Sequence, residues 1–179
     1  MSTVADNLRL VQDRIPSEGP AACLRYTGSE GSKTKSEVST TSDWNAKIIA
    51  DFRANEGRVG GPFEGAPITL VHHLGRKSGR EYVSPMMYMA DGGDPATIFV
   101  FASKSGAPTN PDWYHNLKSA GLAKVEVGTD TYPVTVTELV GEDRDRVFDE
   151  QARRYPGFAK YAQRAAGIRT IPVLALRRA

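Results

Sequence analysis

The chain holds a single cysteine, Cys23, in 179 residues, so no disulfide can close within it, which points to a reducing compartment, the cytoplasm. Cys23 also lies in a poorly patterned stretch with no histidine near it, which argues against a Cys–His nucleophilic pair. Histidines number three. His72 and His73 are neighbours on a strand-like run and point to opposite faces, while His115 stands apart, so no metal site is expected. No run approaches the ~20 apolar residues of a membrane-spanning helix. The first residues carry Asp6, Arg9, Asp13 and Arg14 and lack the apolar core of a secretory signal. A net charge of +2 is too small to imply a nucleic-acid partner. There is no Gly-x-Ser-x-Gly nucleophile elbow, and the strand–helix alternation of doubly wound nucleotide folds is missing.

What is present is an ordinary globular composition, 40% hydrophobic and 25% charged, long enough for one domain with a buried core. Residues 1–42 read as a leader and 43–179 as the folded domain. In the leader, Val4, Leu8 and Val11 suggest a short amphipathic helix ended by Pro16, followed by an extended Gly/Ser/Thr/Lys-rich segment. Residues 28–34 look like a phosphate-binding loop, but the Gly-to-Lys spacing is one residue short and no strand precedes it.

From residue 43 the periodicity sharpens. Trp44, Ile48 and Phe52 lie four apart, with Gly57 as a stop, and predict a helix over about 43–55. Strands are expected over 68–74 and 82–90, joined by the tight turn Gly75-Arg76-Lys77-Ser78-Gly79, and then over 97–102. A helix follows over 111–120, with Asn110 as its cap and Pro111 as its first residue. Strands over 123–127 and 132–139, a helix over 142–154, a helical segment from Pro156 and a strand over 171–176 complete the order. Consecutive strands with hairpin-length links argue for an α+β domain on a small antiparallel barrel of about six strands with flanking helices.

Three constellations could carry chemistry. The stretch from Ala102 to Asn116 runs from a strand through small, turn-forming residues into a helix, which offers backbone N–H groups to an anionic or carbonyl-rich ligand. The turn around Arg76 and Lys77 pairs a planar fork with a point charge beside Ser78, a combination suited to phosphate or carboxylate. Tyr155, Phe158 and Tyr161 recur at three-residue steps around Pro156-Gly157, either as core or as the aromatic wall of a flat substrate site.

The run Asp51-Phe52-Arg53-Ala54-Asn55, the stretch Gly60-Gly61-Pro62-Phe63-Glu64-Gly65-Ala66-Pro67, the Arg76 turn, Ala102-Ser103-Lys104, Asn110 to Leu117 and Arg169-Thr170-Ile171-Pro172-Val173 stand in a telling order. Together, over about residues 44–177, they resemble the deazaflavin-dependent nitroreductase family, reductases that use coenzyme F420 on a split β-barrel. The resemblance implies that Arg76, Lys77 and Ser78, with Gly79 and Tyr82 beside them, hold the coenzyme's phosphate end. It implies that Val83, Ser84, Pro85, Met86 and Met87 line the deazaflavin side, and that Ala102, Ser103 and Lys104 meet the ring edge. Asp112, Trp113, Tyr114, His115 and Asn116 close the pocket, and Tyr155 sits over the ring. Arg53 and Arg58 are candidates for the coenzyme's acidic tail on charge alone.

Tyr155 and Tyr161 are the candidate proton donors, and Phe158 with Tyr161 the candidate substrate contacts. The nitroimidazole-reducing member of that family has tyrosine at all three late aromatic positions, whereas Phe158 stands at the middle one here. Efficient nitroimidazole reduction is therefore not implied. The expected activity is hydride transfer from reduced F420 to an electron-poor planar acceptor: an activated ene, unsaturated lactone, quinone or nitroaromatic. An FMN-dependent reductase on the same fold, or a non-catalytic cofactor- or lipid-binding protein, are the alternatives. The partner is a small-molecule substrate, a homodimer is the candidate assembly, and a quinone acceptor would bring the protein to a membrane surface.

Overall fold

The computed structural model describes residues 40–179. The leader helix, its extended segment, the loop-like residues 28–34 and Cys23 lie outside the described residues. Helix α1 spans Thr40–Ala54, starting three residues before the expected 43. Strands β1 (Ile68–Leu74), β2 (Glu81–Ala90) and β3 (Thr97–Phe101) follow, then α2 (Asp112–Ala120). Strands β4 (Leu122–Val127) and β5 (Asp130–Leu139), helices α3 (Gly141–Arg154) and α4 (Gly157–Ala165), and β6 (Val173–Arg178) complete the chain.

The six strands close into a barrel in the order β1-β2-β3-β6-β5-β4, and every neighbouring pair is antiparallel. Alternation along each strand sends one set of side chains inward. Val71, Val100, Val125, Val134, Leu174 and Leu176, all fully buried, fill the interior. Outward-facing residues pack under helices. Ile48 and Phe52 of α1 cover Ile68 and Leu70, while Val147, Phe148 and Phe158 of α3 and α4 cover Phe99, Phe101 and Val173. Helix α2 rests on β1, β4 and β5 and adds Tyr114 and Leu117 to the interior cluster. Trp44 is 40% exposed, so the apolar stripe of α1 is narrower than its spacing suggests.

Two differences from expectation concern chain ends. Strand β6 begins at Val173, because Pro172 has no N–H for the ladder and the Ile171 carbonyl is taken by Arg144 Nε and Nη2 at 2.9 and 2.7 Å. Asn110 does not cap α2. The capping position is Pro111, and Asn110 Oδ1 instead accepts a hydrogen bond from Arg169 Nη1 at 2.7 Å. One glycine explains how α1 meets the barrel. Gly57 has φ +86°, and a Cβ there would fall 2.4 Å from Gly128 Cα in the β4–β5 turn.

Candidate functional site

A cavity of about 980 Å3 opens between α1, the β1–β2 turn and the start of α2. Asn45, Ala46 and Ile49 of α1 form one wall, and Asp112, Trp113 and Asn116 of α2 form the opposite one. The floor comes from His73, the turn residues Gly75, Arg76, Lys77 and Ser78, and Glu81, Tyr82, Val83 and Ser84 at the start of β2. Local chemistry places each part. Gly75 N donates to Arg80 O at 2.8 Å and Gly79 N to Gly75 O at 2.7 Å, which closes the turn and leaves the Arg76 and Lys77 side chains outside it. Among the described residues, neither cation has an ion-pair partner. Asn116 ties the turn to α2, since its Oδ1 accepts the backbone N–H of Arg76 at 3.0 Å.

The cavity thus gathers Arg76, Lys77, Ser78, Tyr82, Val83, Ser84, Asp112, Trp113 and Asn116 from the expected set. Strand alternation separates the rest of the β2 run. Met86 packs on the barrel interior, while Met87 packs outward beneath the helices. Tyr114 is buried in the interior cluster, with its hydroxyl donating to Glu138 Oε1 at 2.8 Å, and His115 meets its ring edge-on.

Ala102 is fully buried, and the loop after it is internally bonded rather than open. Ser103 N, Gly106 N and Ala107 N donate to Phe101, Ser103 and Lys104 carbonyls at 2.8, 2.9 and 3.0 Å. Arg169 clamps this loop by donating to the Ala107, Ala102 and Ser103 carbonyls and to Asn110, with no carboxylate among its acceptors. Burial pushes its pKa down. Lys104 Nζ reaches Thr109 Oγ1 at 3.0 Å. Gly106, with φ +80°, lets the loop lie against α4, where a Cβ would meet the Tyr161 carbonyl oxygen at 2.7 Å.

The late aromatics stand elsewhere. Tyr155 and Phe158 are buried in the α3–α4 cluster, and Tyr161, half-buried, packs against it. None of the three lines the 980 Å3 cavity. Among the described residues no group of three or more His, Cys, Asp or Glu side chains is arranged to hold a metal.

Sequence reasoning missed His73 as a cavity residue, along with Asn45, Ala46 and Ile49. The i, i+4 spacing of Asn45 and Ile49 was readable, but which helix face the turn would approach was not. A second cavity, of about 940 Å3, lies near the end of α1 and includes Arg58. There the carboxylates of Asp51, Glu56 and Glu64 outnumber Arg58, which disfavours an anionic ligand. Arg53 is engaged elsewhere, on Glu126.

The turn and cavity have the chemistry an anionic, aromatic coenzyme needs: two cations at one end, unpaired among the described residues, and Tyr82 and Trp113 as flat surfaces in its lining. The family model for F420H2-dependent quinone reductases matches residues 44–178. An F420H2-dependent quinone reductase of Mycobacterium tuberculosis is 33% identical over 136 residues, covering 72% of this chain and 86% of that protein. A solved F420H2-dependent reductase, FDR-A, shares 33% identity at a TM-score of 0.54, covering 62% of this chain and 94% of its own. Another solved structure, described as a domain-swapped dimer, shares 29% identity at a TM-score of 0.56, covering 77% and 100%. Deazaflavin is thereby favoured over FMN. The chain belongs to the F420H2-dependent quinone reductase family, and it is a reductase whose coenzyme is reduced F420.

Proposed function

We propose that the protein transfers a hydride from reduced F420 to a quinone, holding the coenzyme in the cavity between α1, the β1–β2 turn and α2. The carrying observation is the pair of cations, Arg76 and Lys77, without an ion-pair partner among the described residues, on a turn whose backbone is tied to α2. Phosphate and carboxylate groups find charge-assisted donors there, with Ser78 adding a hydroxyl and Gly79 leaving the turn uncovered. Tyr82, Val83, Ser84 and Trp113 line the path away from the turn and exclude water from a flat ring system. When bound, the coenzyme supplies the hydride, which together with one proton converts a quinone to a hydroquinone.

In the same reading Ser103 and Lys104 meet the ring edge only where the ring extends beyond the cavity, which neither of them lines, and Ala102, fully buried, offers it no surface. Proton delivery by Tyr155 or Tyr161 requires the α3–α4 corner to come over the ring. Burial pushes the Tyr155 phenol pKa up, which keeps its proton in place until an acceptor takes it. Activated enes, unsaturated lactones and nitroaromatics are further acceptors of matching electron demand. A homodimer is the proposed assembly, supported by the relative described as a domain-swapped dimer. No described helix is long and apolar enough to cross a membrane, so a lipid-soluble quinone would be met at the membrane surface.

Titration of the purified protein with F420, FMN and NADPH, then anaerobic turnover of F420H2 with quinone, nitroaromatic and lactone acceptors, tests the reading. F420 binding with quinone turnover supports it. FMN binding in place of F420, or no quinone reduction by a protein that binds F420H2, overturns it.

A further inference from the structure

The side-chain amide of Asn116 is held in one orientation by an unambiguous donor, the backbone N–H of Arg76, which donates to Oδ1 at 3.0 Å. Its Nδ2 therefore faces His73 Nδ1, 3.1 Å away, and an amide nitrogen can only donate. His73 Nδ1 is then the acceptor, and the single ring proton sits on Nε2, which donates to Ser84 Oγ at 3.0 Å. The Ser84 hydroxyl accepts that bond and keeps its own proton for a ligand in the cavity it lines. One chain of bonds thus runs from the Arg76 backbone through Asn116 and His73 to Ser84, and all four residues line the cavity.

A second proton on His73 would set two donors against each other across the Asn116 contact. The surroundings oppose that proton. His73 is 6% exposed, and burial, then the neighbouring His72, push its pKa down. Tyr82 stacks on the ring at 5.8 Å and 20°. The charged groups around the same cavity are Arg76 and Lys77 on the turn, Glu81 on β2 and Asp112 on α2, with neutral Asn45 on α1.

We propose that His73 is a positioning residue: with its proton on Nε2 it orients Asn116, through Asn116 it fixes the backbone of the Arg76–Lys77 turn, and it leaves the Ser84 hydroxyl as a donor into the cavity. The inference rests on the reading of that cavity as the F420 site. A carboxamide that is fixed at both ends cannot swing to release the turn, so the two cations stay aimed at the same place whether or not the coenzyme is bound.

Nitrogen-15 NMR of the imidazoles in the full-length wild-type protein is the first measurement, and it needs no variant. Nε2 protonated and Nδ1 bare across neutral pH is the expected result, with or without F420. Two substitutions follow. His73→Phe keeps bulk and the stack on Tyr82 but loses both hydrogen bonds, and His73→Asn retains an acceptor near the place of Nδ1. In His73→Phe the Arg76 amide should exchange with solvent about ten-fold faster, and KM for F420H2 should rise about five- to ten-fold with kcat nearly unchanged. His73→Asn should recover most of the Arg76 protection. The wild-type KM should also rise on the acid side, as the second proton enters His73, and His73→Phe should lack that limb.

A ring protonated at Nδ1, or Arg76 exchange unchanged in His73→Phe, overturns the positioning role whether or not F420 binds in this cavity. An Arg76 amide that responds while KM stays put overturns the assignment of the cavity to the coenzyme, and with it the functional half of the proposal. Separate F420 titration of His73→Phe distinguishes loss of the turn from loss of the whole fold, which circular dichroism on the same sample reads directly.

Discussion

Arg53 on α1 forks onto the carboxylate of Glu126 on β4, with Nε 3.1 Å from Oε2 and Nη2 on Oε1. His72 Nε2 stands 2.7 Å from the same Oε1, and its Nδ1 stands 3.1 Å from Glu81 Oε1. One carboxylate thus ties the helix over the cavity wall to two barrel strands. The Arg53 hydrogen bond is the largest cause holding the Glu126 pKa below its usual value, with His72 adding to it. A carboxylate depressed in the folded state contributes stability above its unfolded pKa and loses it as pH falls through the folded one. Glu126→Gln should therefore cost on the order of 1 kcal/mol at neutral pH, a modest figure because Arg53 is half exposed, and should flatten the acid limb of stability. Denaturant midpoints from about pH 3 to pH 7 check this, and parallel curves for variant and wild type would remove the tie.

The barrel was legible because its signals are local. Alternation placed Val71 and His73 on opposite faces from Leu70 and His72, and paired glycines at 75 and 79 marked the hairpin turn. The cavity lining was legible only where one short segment builds it: Arg76, Lys77 and Ser78 share a turn that reads as an anion cradle, and Asp112, Trp113 and Asn116 lie in the helical run that the family resemblance implied. Contacts across long sequence separation were not readable. Asn110 looked like a helix cap because nothing local revealed Arg169, 59 residues on, as the donor to its side chain. The contribution of Asn45 and Ile49 depended on how α1 lies over the barrel, which is a packing outcome.

The phosphate turn gives the most direct test of the site. The double change Arg76→Ala and Lys77→Ala removes two charge-assisted contacts of ~1.5–3 kcal/mol each, so F420 affinity should fall at least about ten-fold. The Arg76 backbone bond to Asn116 survives the change, so the fold should not respond. Fluorescence titration of the folded double variant measures the effect, and wild-type affinity would take this turn out of the site.

The leader should be dispensable for folding. All six strands and the three apolar clusters are built from residues within 40–179. A chain beginning at Ser39 should express as a folded barrel and bind F420 within about two-fold of the full chain. Insoluble protein, or a large loss of coenzyme affinity, would show that the leader belongs to the domain.

Gln151 on α3 is fully buried, and among the described residues its Oε1 and Nε2 lack any hydrogen-bond partner. A buried amide left unsatisfied costs about 1–3 kcal/mol. Gln151→Met keeps the length of the side chain and removes both polar atoms, so the melting temperature should rise by about 2–4 °C for each kcal/mol recovered. A fall would mean that the amide meets an ordered water or a ligand, and crystals of the wild type would then show density at its head.

Phe158 decides between the two meanings of the late aromatic series. Its ring is 7% exposed and meets Phe101, Phe148 and Tyr161 edge-on at centroid distances of 5.5, 6.5 and 5.6 Å. These are the geometries of a packed aromatic cluster, in which ring edges meet ring faces. A phenol there would bury a hydroxyl among carbon atoms. Without a partner, that hydroxyl costs ~1–3 kcal/mol. Phe158→Tyr should therefore lower the melting temperature by several degrees and leave nitroaromatic turnover where it was, with F420 affinity unchanged. The opposite outcome has an equally definite cause. A donor beside developing negative charge stabilises the transition state more than the ground state and can be worth ~10²-fold in rate. A large gain in nitroaromatic kcat at an unaltered melting temperature would thus put Phe158 at the substrate and require the α3–α4 corner to open during turnover.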